Sequence, residues 1–169
     1  MNKMKRMILA VGILSMAFVL HAQKFGHVTS EQILQAMPEY DSAQVELQEL
    51  QQYYELEIER IQVEINKKIE EFNNGEATMS NLIKEAKASE IQELQMRLQN
   101  FSQTAQQDLQ QQGMRLIQPV MEKARNAISE VAKENGLIYV FDVSQGNPIY
   151  MSEESLDVVP LVKAKLGLQ

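Results

Sequence analysis

Side chains that could carry out catalysis are scarce in this sequence. The 169 residues include no cysteine and only two histidines, which excludes disulfides, thiolate metal sites and cysteine nucleophiles. His27 is the only histidine after residue 22, and a structural or exposed role is favoured over membership of a Ser-His-Asp triad. No glycine-rich phosphate loop is present, which argues against nucleotide-driven action. We therefore expect a protein that is not an enzyme and that needs no cofactor.

Acidic residues are abundant but do not form a metal-binding motif. Glu55, Glu57, Glu59 and Glu64 would suit calcium, yet they fall on a predicted helix and not on a loop that presents ligands. A solvated helix face is therefore favoured, and no metal site is expected. The formal net charge is -7, from 16 Lys+Arg and 23 Asp+Glu. This acidic balance argues against nucleic-acid binding, which draws on clustered Lys and Arg.

The first 22 residues have the layout of a secretory signal. Three cations within the first six residues precede an apolar run at 7–20, and Ala22 is a small residue where a signal peptidase could cut. The alternative, an uncleaved membrane anchor, requires about 20 apolar residues to span a bilayer, and this run is shorter. The pattern predicts a cleaved signal peptide at 1–22 and a soluble, exported mature protein.

The middle of the chain predicts a long amphipathic helix. No proline occurs between Pro38 and Pro119, and Asp41 or Ser42 is expected to cap the helix. Apolar residues then recur at steps of three and four, which places them on one helix face. We call this face the seam of the helix. Its residues are Leu47, Leu50, Tyr54, Ile58, Ile61, Ile65, Ile69 and Phe72. A single apolar face of this kind is typical of a coiled coil.

A second helix is predicted to pack back along the first. Asn73-Asn74-Gly75 tolerates left-handed backbone and predicts a turn, after which the second helix resumes near Glu76 or Ser80. Gly113 and Pro119 predict a bend further along. The second seam comprises Ile83, Leu94, Leu98, Phe101, Ala105 and Leu109. An arm of about 32 residues would reach roughly 48 Å, so this antiparallel hairpin must project from the rest of the protein.

The two chain ends are predicted to supply every strand. Strands are expected at 24–29 and 137–143, with Ile149-Tyr150-Met151 pairing back as a third, and Asn135-Gly136 ends the long helix. Shorter helices are expected at 30–37 and 156–166, the latter closing at Gly167. The fold class is therefore α+β, with a small β body formed by both chain ends and a long antiparallel helical hairpin. Because so few strands leave exposed edges, the body is expected to oligomerise.

This pattern divides the chain into three parts. The signal peptide occupies 1–22, the β-rich oligomerisation body comprises 23–40 and 113–169, and the helical-hairpin tentacle comprises 41–112. On the hairpin, a few apolar residues lie nearly opposite the seams and are surplus to a two-helix arm. They are Val45, Leu56, Val63, Met96 and Met114. Contact with a client chain, packing against a sister arm and scattered single exposure are the alternatives for these five residues.

The mature chain resembles the Skp/OmpH family of periplasmic chaperones over essentially its whole length. The resemblance rests on blocks near both ends, and the coiled coil between them would resemble many unrelated proteins. The blocks are Gly26–Leu34, Met37–Tyr40, Gln118–Val120, Ile128–Gly136, Tyr139–Asp142 and Ser155–Val162.

The resemblance implies a homotrimer whose three tentacles enclose a cavity. The cavity would hold unfolded outer-membrane β-barrel proteins in the periplasm without ATP, and the family has no catalytic residues to carry over. Well-known members have basic tentacles, whereas residues 41–72 here hold nine acids against three bases. This charge disfavours contact with lipid or lipopolysaccharide and attraction to acidic clients. The alternative is a structural coiled-coil spacer or adaptor of the cell envelope.

Overall fold

The computed structural model describes residues 24–144, 146 and 148–168, so the predicted signal peptide at 1–22 lies outside the described residues. In chain order the elements are β1 (Lys24–Val28), α1 (Ser30–Gln35), α2 (Pro38–Gly75), a 3-10 turn (Glu76–Thr78), α3 (Asn81–Glu134), β2 (Leu137–Asp142), β3 (Leu156–Asp157) and α4 (Val159–Leu166). In the part of the chain that the structure describes, no helix has the length and apolar character needed to cross a membrane.

The long helices α2 and α3 form the predicted antiparallel hairpin. Near the turn, Lys68 Nζ lies 2.5 Å from Glu90 Oε1, and nearer the other end Tyr54 donates its hydroxyl hydrogen to Asp108 Oδ2 at 2.7 Å. Contacting residues are thus further apart in sequence as their distance from the turn increases, as antiparallel packing requires. At 1.5 Å per residue, the 38 residues of α2 reach about 57 Å, so the hairpin is longer than predicted.

Helix α2 begins at Pro38, and the prediction that Asp41 or Ser42 caps it is wrong. Proline is favoured at the first position of a helix because its missing N–H would have no intrahelical acceptor there. Ser42 consequently lies inside the helix, where its hydroxyl donates to the Pro38 carbonyl oxygen at 2.9 Å. Only a short connection therefore separates α1 from the first helix of the hairpin.

The turn at the tip of the hairpin is where predicted, but its backbone is right-handed. Gly75 has φ -96° and ψ -12°, so the left-handed conformation predicted for Asn73-Asn74-Gly75 is wrong. A Cβ at Gly75 would meet only the flexible end of the Met79 side chain. The second helix begins at Asn81, next to the Ser80 start that the sequence predicts, and Ser80 caps it by accepting a hydrogen bond from the Ile83 amide at 3.4 Å. The helix continues through Gly113 and Pro119 without interruption.

Three parallel strands form a sheet in the order β2-β1-β3. Phe25 pairs with Tyr139 on one side of β1, and Gly26 pairs with Leu156 on the other. The two strands predicted near the ends, at 24–29 and 137–143, are confirmed within one residue at their ends. The third strand is a correction, since Ile149–Met151 lies outside the sheet and Leu156–Asp157 takes its place.

The helix predicted over 156–166 is accordingly shorter. It begins at Val159 after the N-cap residue Val158, and the Asp157 carboxylate at the end of β3 accepts a hydrogen bond from the Val159 amide at 2.9 Å. Gly136 and Gly167 have positive φ, 65° and 71°, which confirms both predicted glycine helix ends.

The main hydrophobic core lies between the inner face of the sheet and the helices around it. It joins residues from both chain ends with the C-terminal part of α3, and α2 and α3 continue beyond it as the hairpin. Its buried members are Val28, Ile33, Met37, Val120, Ala124, Ala127, Val131, Val158, Val159 and Val162. The protein is thus mostly helical with a small three-stranded sheet, whereas the boundaries at 40/41 and 112/113 stay predictions.

Candidate protein-binding surface

Among the described residues, His27 meets a serine hydroxyl, and no carboxylate hydrogen-bonds to its ring. His27 Nδ1 lies 3.0 Å from Ser155 Oγ, and the ring is half-buried beside β3. Among residues 24–144, 146 and 148–168, no group of three His, Asp or Glu side chains could hold a metal ion. The same residues include no fully buried polar or charged side chain. The described surface is instead notable for exposed apolar side chains.

The apolar seam of the hairpin is satisfied by the hairpin itself. All eight predicted seam residues of α2 are buried or half-buried, and Ile61 and Ile65 are only 2 % exposed. On α3, Ala105 is buried and four of the five other seam residues are half-buried, but Ile83 is exposed because it lies in the first turn of the helix, at the tip. Apolar residues outside the seams are therefore not needed to hold α2 against α3.

A polar layer within the seam sets the alignment of the two helices. The Asp108 carboxylate accepts hydrogen bonds from the Tyr54 hydroxyl at 2.7 Å and from Gln112 Nε2 at 3.3 Å. The hydrogen bond to Asp108 is the main reason that the pKa of Tyr54 is raised, with burial adding to it. Tyr54 also packs edge-on against Phe101, with ring centroids 5.9 Å apart. A half-buried polar contact of this kind favours one register over its neighbours, and so helps to determine which residues face outward.

The five surplus apolar residues all lie on the exposed surface of the hairpin. Their exposed fractions are 54 % for Val45, 67 % for Leu56, 59 % for Val63, 56 % for Met96 and 65 % for Met114. None of them packs into the seam, as their angular positions on the helices predict. Their role in binding another chain stays a prediction.

Further exposed apolar residues were missed by the sequence reasoning. Met121 is exposed and follows Met114 by seven residues, so the same helical periodicity would have identified it. Tyr53 is exposed beside the seam residue Tyr54, and Leu82 is exposed in the first turn of α3. Their positions extend the exposed apolar surface from the lower part of α3 to the tip of the hairpin.

Most Lys and Arg side chains in the part of the hairpin near its tip form ion pairs with carboxylates of the same hairpin. Lys68 pairs with Glu90, Lys87 pairs with Glu71 at 3.7 Å, and Arg60 pairs with Glu57 at 2.6 Å. The hydrogen bond between Lys68 and Glu90 raises the pKa of the lysine and lowers the pKa of the glutamate. Because acids outnumber bases along the hairpin, the carboxylates left over give its surface a negative charge.

A second exposed apolar surface covers the outer face of the sheet. Phe25, Tyr139 and Phe141 form a cluster with ring centroids 6.1–6.4 Å apart, and their exposed fractions are 41 %, 62 % and 55 %. Beside this cluster, Tyr150 and Met151 help to line a cavity of about 500 Å³. Parallel sheets are normally covered on both faces, so this aromatic sheet face lacks a covering layer in the single chain.

The fold and these surfaces define a class of protein: a small body closed by both chain ends, with one projecting two-helix arm and exposed apolar surfaces. The sequence profile of the outer membrane protein (OmpH-like) family matches residues 24–166. The chain therefore belongs to the OmpH-like family, which confirms the resemblance found in the sequence.

A solved structure shows the same fold. It is the 2.83 Å crystal structure of an OmpH-like protein from Caulobacter crescentus CB15, assigned provisionally as an outer membrane chaperone. The TM-score is 0.73 at 13 % identity, and the match covers 85 % of this chain and 83 % of that chain. No curated protein matches the sequence at a significant level.

Proposed function

We propose that the protein is an ATP-independent periplasmic holdase that binds unfolded outer-membrane proteins between its hairpin arms and prevents their aggregation. The observation that carries the proposal is the set of exposed apolar residues on a projecting hairpin whose own seam is already filled. Membership of the OmpH-like family and the provisional chaperone assignment of the Caulobacter protein support it. The signal-like sequence at 1–22 supports export to the periplasm.

Weak contacts at many positions suit a holdase. Full burial of one apolar side chain contributes about 1.5 to 3 kcal/mol, and partial contact along an open surface contributes less. A client held by several such contacts gains affinity from their number while each contact can break separately. A client can then leave when it buries its own apolar residues on folding, and no nucleotide is needed for release.

The aromatic sheet face supports assembly into a homotrimer. Phe25, Tyr139 and Phe141 offer three adjacent aromatic rings, and burying them against other copies would give the outer face of the sheet the covering that it lacks. We expect Tyr139→Ser combined with Phe141→Ser to shift the mass measured by sedimentation equilibrium from trimer towards monomer. Tyr53→Ser, at an exposed aromatic residue of the arm, is the control and should leave the trimer intact. A wild-type chain that stays monomeric at micromolar concentration would contradict the proposed assembly.

Light scattering tests holdase activity directly. Substoichiometric amounts of the mature protein should suppress the aggregation of an unfolded outer-membrane β-barrel after dilution from denaturant. A variant in which Val45, Leu56, Val63, Met96 and Met114 are all replaced by Ser or Gln should lose much of this suppression. Single replacements should have little effect, because each contact is weak.

A seam variant separates client binding from arm stability. Ile58→Ala should lower the helical content of the arm on heating, because it removes packing between α2 and α3. The five-residue variant should instead keep the helicity, melting temperature and mass of the wild type. Early melting of that variant would mean that the five residues pack between arms, and full activity in a stable variant would show that clients bind elsewhere. Absence of suppression by the wild type would favour a structural coiled-coil spacer.

A further inference from the structure

Carboxylates alternate with the apolar residues along the exposed side of α2. Residues three and four positions apart lie above one another on a helix, so a run with these steps forms one stripe. This α2 stripe consists of Val45, Glu49, Gln52, Leu56, Glu59, Val63, Lys67 and Glu70, and every member is exposed. It therefore presents three apolar side chains and three carboxylates over about 38 Å of helix, together with Gln52 and one cation, Lys67.

The carboxylates of the α2 stripe are available for a partner. Within the residues that the structure describes, Glu49, Glu59 and Glu70 form no ion pair and no side-chain hydrogen bond. Among the described residues, Glu46 and Glu64 on other faces of α2 are unpaired as well. The stripe carboxylates differ from them in lying in line with the exposed apolar residues.

The corresponding stripe of α3 has the same spacing and no charge. It consists of Met96, Asn100, Gln103, Gln107, Gln110 and Met114, all of them exposed. The two stripes share apolar anchors but differ in electrostatic character. A ligand that gains from negative charge would therefore bind the α2 stripe in preference to the α3 stripe.

A second copy of the chain is a poor fit for the α2 stripe. A coiled-coil partner requires apolar residues at both core positions of each heptad, and only three of the eight stripe residues are apolar. Two α2 stripes packed together would also bring like charges close to each other, which is destabilising. The favoured occupant therefore carries positive charge between apolar side chains.

We propose that the α2 stripe binds unfolded segments in which every second residue is, in turn, an apolar residue and a Lys or Arg. The proposal rests on the proposed holdase function and specifies its class of client. Glu59 and Val63 are about 6 Å apart along the helix axis, and alternate residues of an extended chain are separated by about 6.6 Å. An extended cationic segment can therefore place an apolar side chain against Val63 and a cation against Glu59 at the same time.

Two labelled peptides of identical apolar content test the proposal. The charged positions, each two residues from an apolar residue, are Lys in one peptide and Glu in the other. Fluorescence anisotropy with the mature protein should show about tenfold tighter binding of the Lys peptide at low salt, because three exposed ion pairs each contribute a few-fold in affinity. The preference should shrink as the salt concentration rises, since salt screens exposed charges beyond about 10 Å at 0.1 M.

Charge-matched variants locate the effect on the protein. The combined variant Glu49→Gln, Glu59→Gln and Glu70→Gln should abolish the preference for the Lys peptide. The control is Glu46→Gln, Glu55→Gln and Glu64→Gln, which removes the same charge from exposed positions at least 80° away from the centre line of the stripe and should keep the preference. Thermal melting followed by circular dichroism should show that both variants keep the helical arm.

The outcomes distinguish this proposal from the holdase function. Equal affinity for the two peptides, or equal loss of preference in both variants, would overturn the assignment to the α2 stripe. Suppression of β-barrel aggregation without any charge preference would overturn this proposal alone. Failure to bind either peptide together with failure to suppress aggregation would overturn the holdase proposal as well.

Discussion

The carboxylate of Asp142 connects the two ends of the chain at the C-terminal edge of the sheet. It accepts hydrogen bonds from the amide and hydroxyl of Ser30 at the start of α1, and from the amide and hydroxyl of Ser144 at 3.0 and 2.7 Å. Ser144 in turn accepts a hydrogen bond from the Glu31 amide at 3.2 Å. Asp142 and Ser144 therefore cap α1 from a segment more than 100 residues away in sequence.

We predict that Asp142→Asn destabilises the body by about 2 kcal/mol. Loss of a helix cap costs about 0.5 to 2 kcal/mol, and a hydrogen bond to a charged group contributes about 1.5 to 3 kcal/mol when buried, less at this partly exposed site. In a chain of this size about 2 kcal/mol corresponds to a fall of roughly 4 to 8 °C in melting temperature.

The destabilisation should depend on pH in a defined direction. Burial raises the pKa of Asp142, but the hydroxyl and amide donors of Ser30 and Ser144 outweigh it, so the net pKa in the folded state is lowered. A lowered folded-state pKa gives stability that is fully present above the unfolded pKa of about 3.9 and is lost as the pH falls through the folded value. The difference between wild type and Asp142→Asn should therefore be full at pH 7 and shrink below about pH 4.

Thermal unfolding followed by circular dichroism at fixed protein concentration measures both effects. Ser144→Ala should cost less than Asp142→Asn, since the Ser144 amide still donates to the carboxylate. Glu153→Gln replaces an exposed carboxyl for which the structure shows no hydrogen bond, so it is the control for lost charge. Equal melting temperatures for wild type and Asp142→Asn at pH 7, or a difference that does not change with pH, would refute the assigned role of the carboxylate.

Three further changes test the hairpin, the sheet and the tip. Ile61→Ala should destabilise the arm by about 2 to 5 kcal/mol in chemical denaturation, because this side chain is fully buried in the seam; a cost below 1 kcal/mol would contradict tight packing there. Gly26→Ala should lower the melting temperature because its Cβ would lie 2.7 Å from Leu137 Cδ1 and 3.2 Å from a backbone oxygen, whereas Gly146→Ala has open space and should be neutral. Deletion of 74–78 should leave the oligomeric mass unchanged by sedimentation, and loss of assembly would mean that the tip belongs to the body.

The hairpin could be predicted from its helical periodicity, whereas the shortest strand could not be predicted. The seam of α2 contains eight residues at regular steps of three and four. The burial of Ile61 and Ile65 therefore follows from their angular positions around the helix, as does the exposure of Val45 and the other surplus residues. By contrast, β3 has only two residues, too few for any alternation, and its place in the sheet depends on pairing with Gly26 far away in sequence. Local pattern therefore could not separate it from the first turn of α4.

The aromatic sheet face was missed for a related reason. Phe25, Tyr139 and Phe141 would be assigned to a core from their residue types, yet the fold places them on the outer face of the sheet. Which face of a strand is covered depends on the helices that pack against it, and this information is absent from the strand sequence. The predicted start of α2 was wrong for a different reason. The helix already begins at Pro38, so Asp41 and Ser42 lie inside it and cannot act as caps.

The strand order of the sheet constrains when the body can fold. The central strand β1 comes from the start of the described chain, while both of its neighbours lie more than 100 residues later. Non-local pairing of this kind is slow in an open chain, since loop closure costs more entropy as the loop lengthens. The hairpin can start from the local contacts near its turn. Its formation then shortens the effective loop, because it brings Glu39 and Lys123 together in a salt bridge. The arm is therefore expected to form first and to act as the scaffold on which β1 meets β2 and β3.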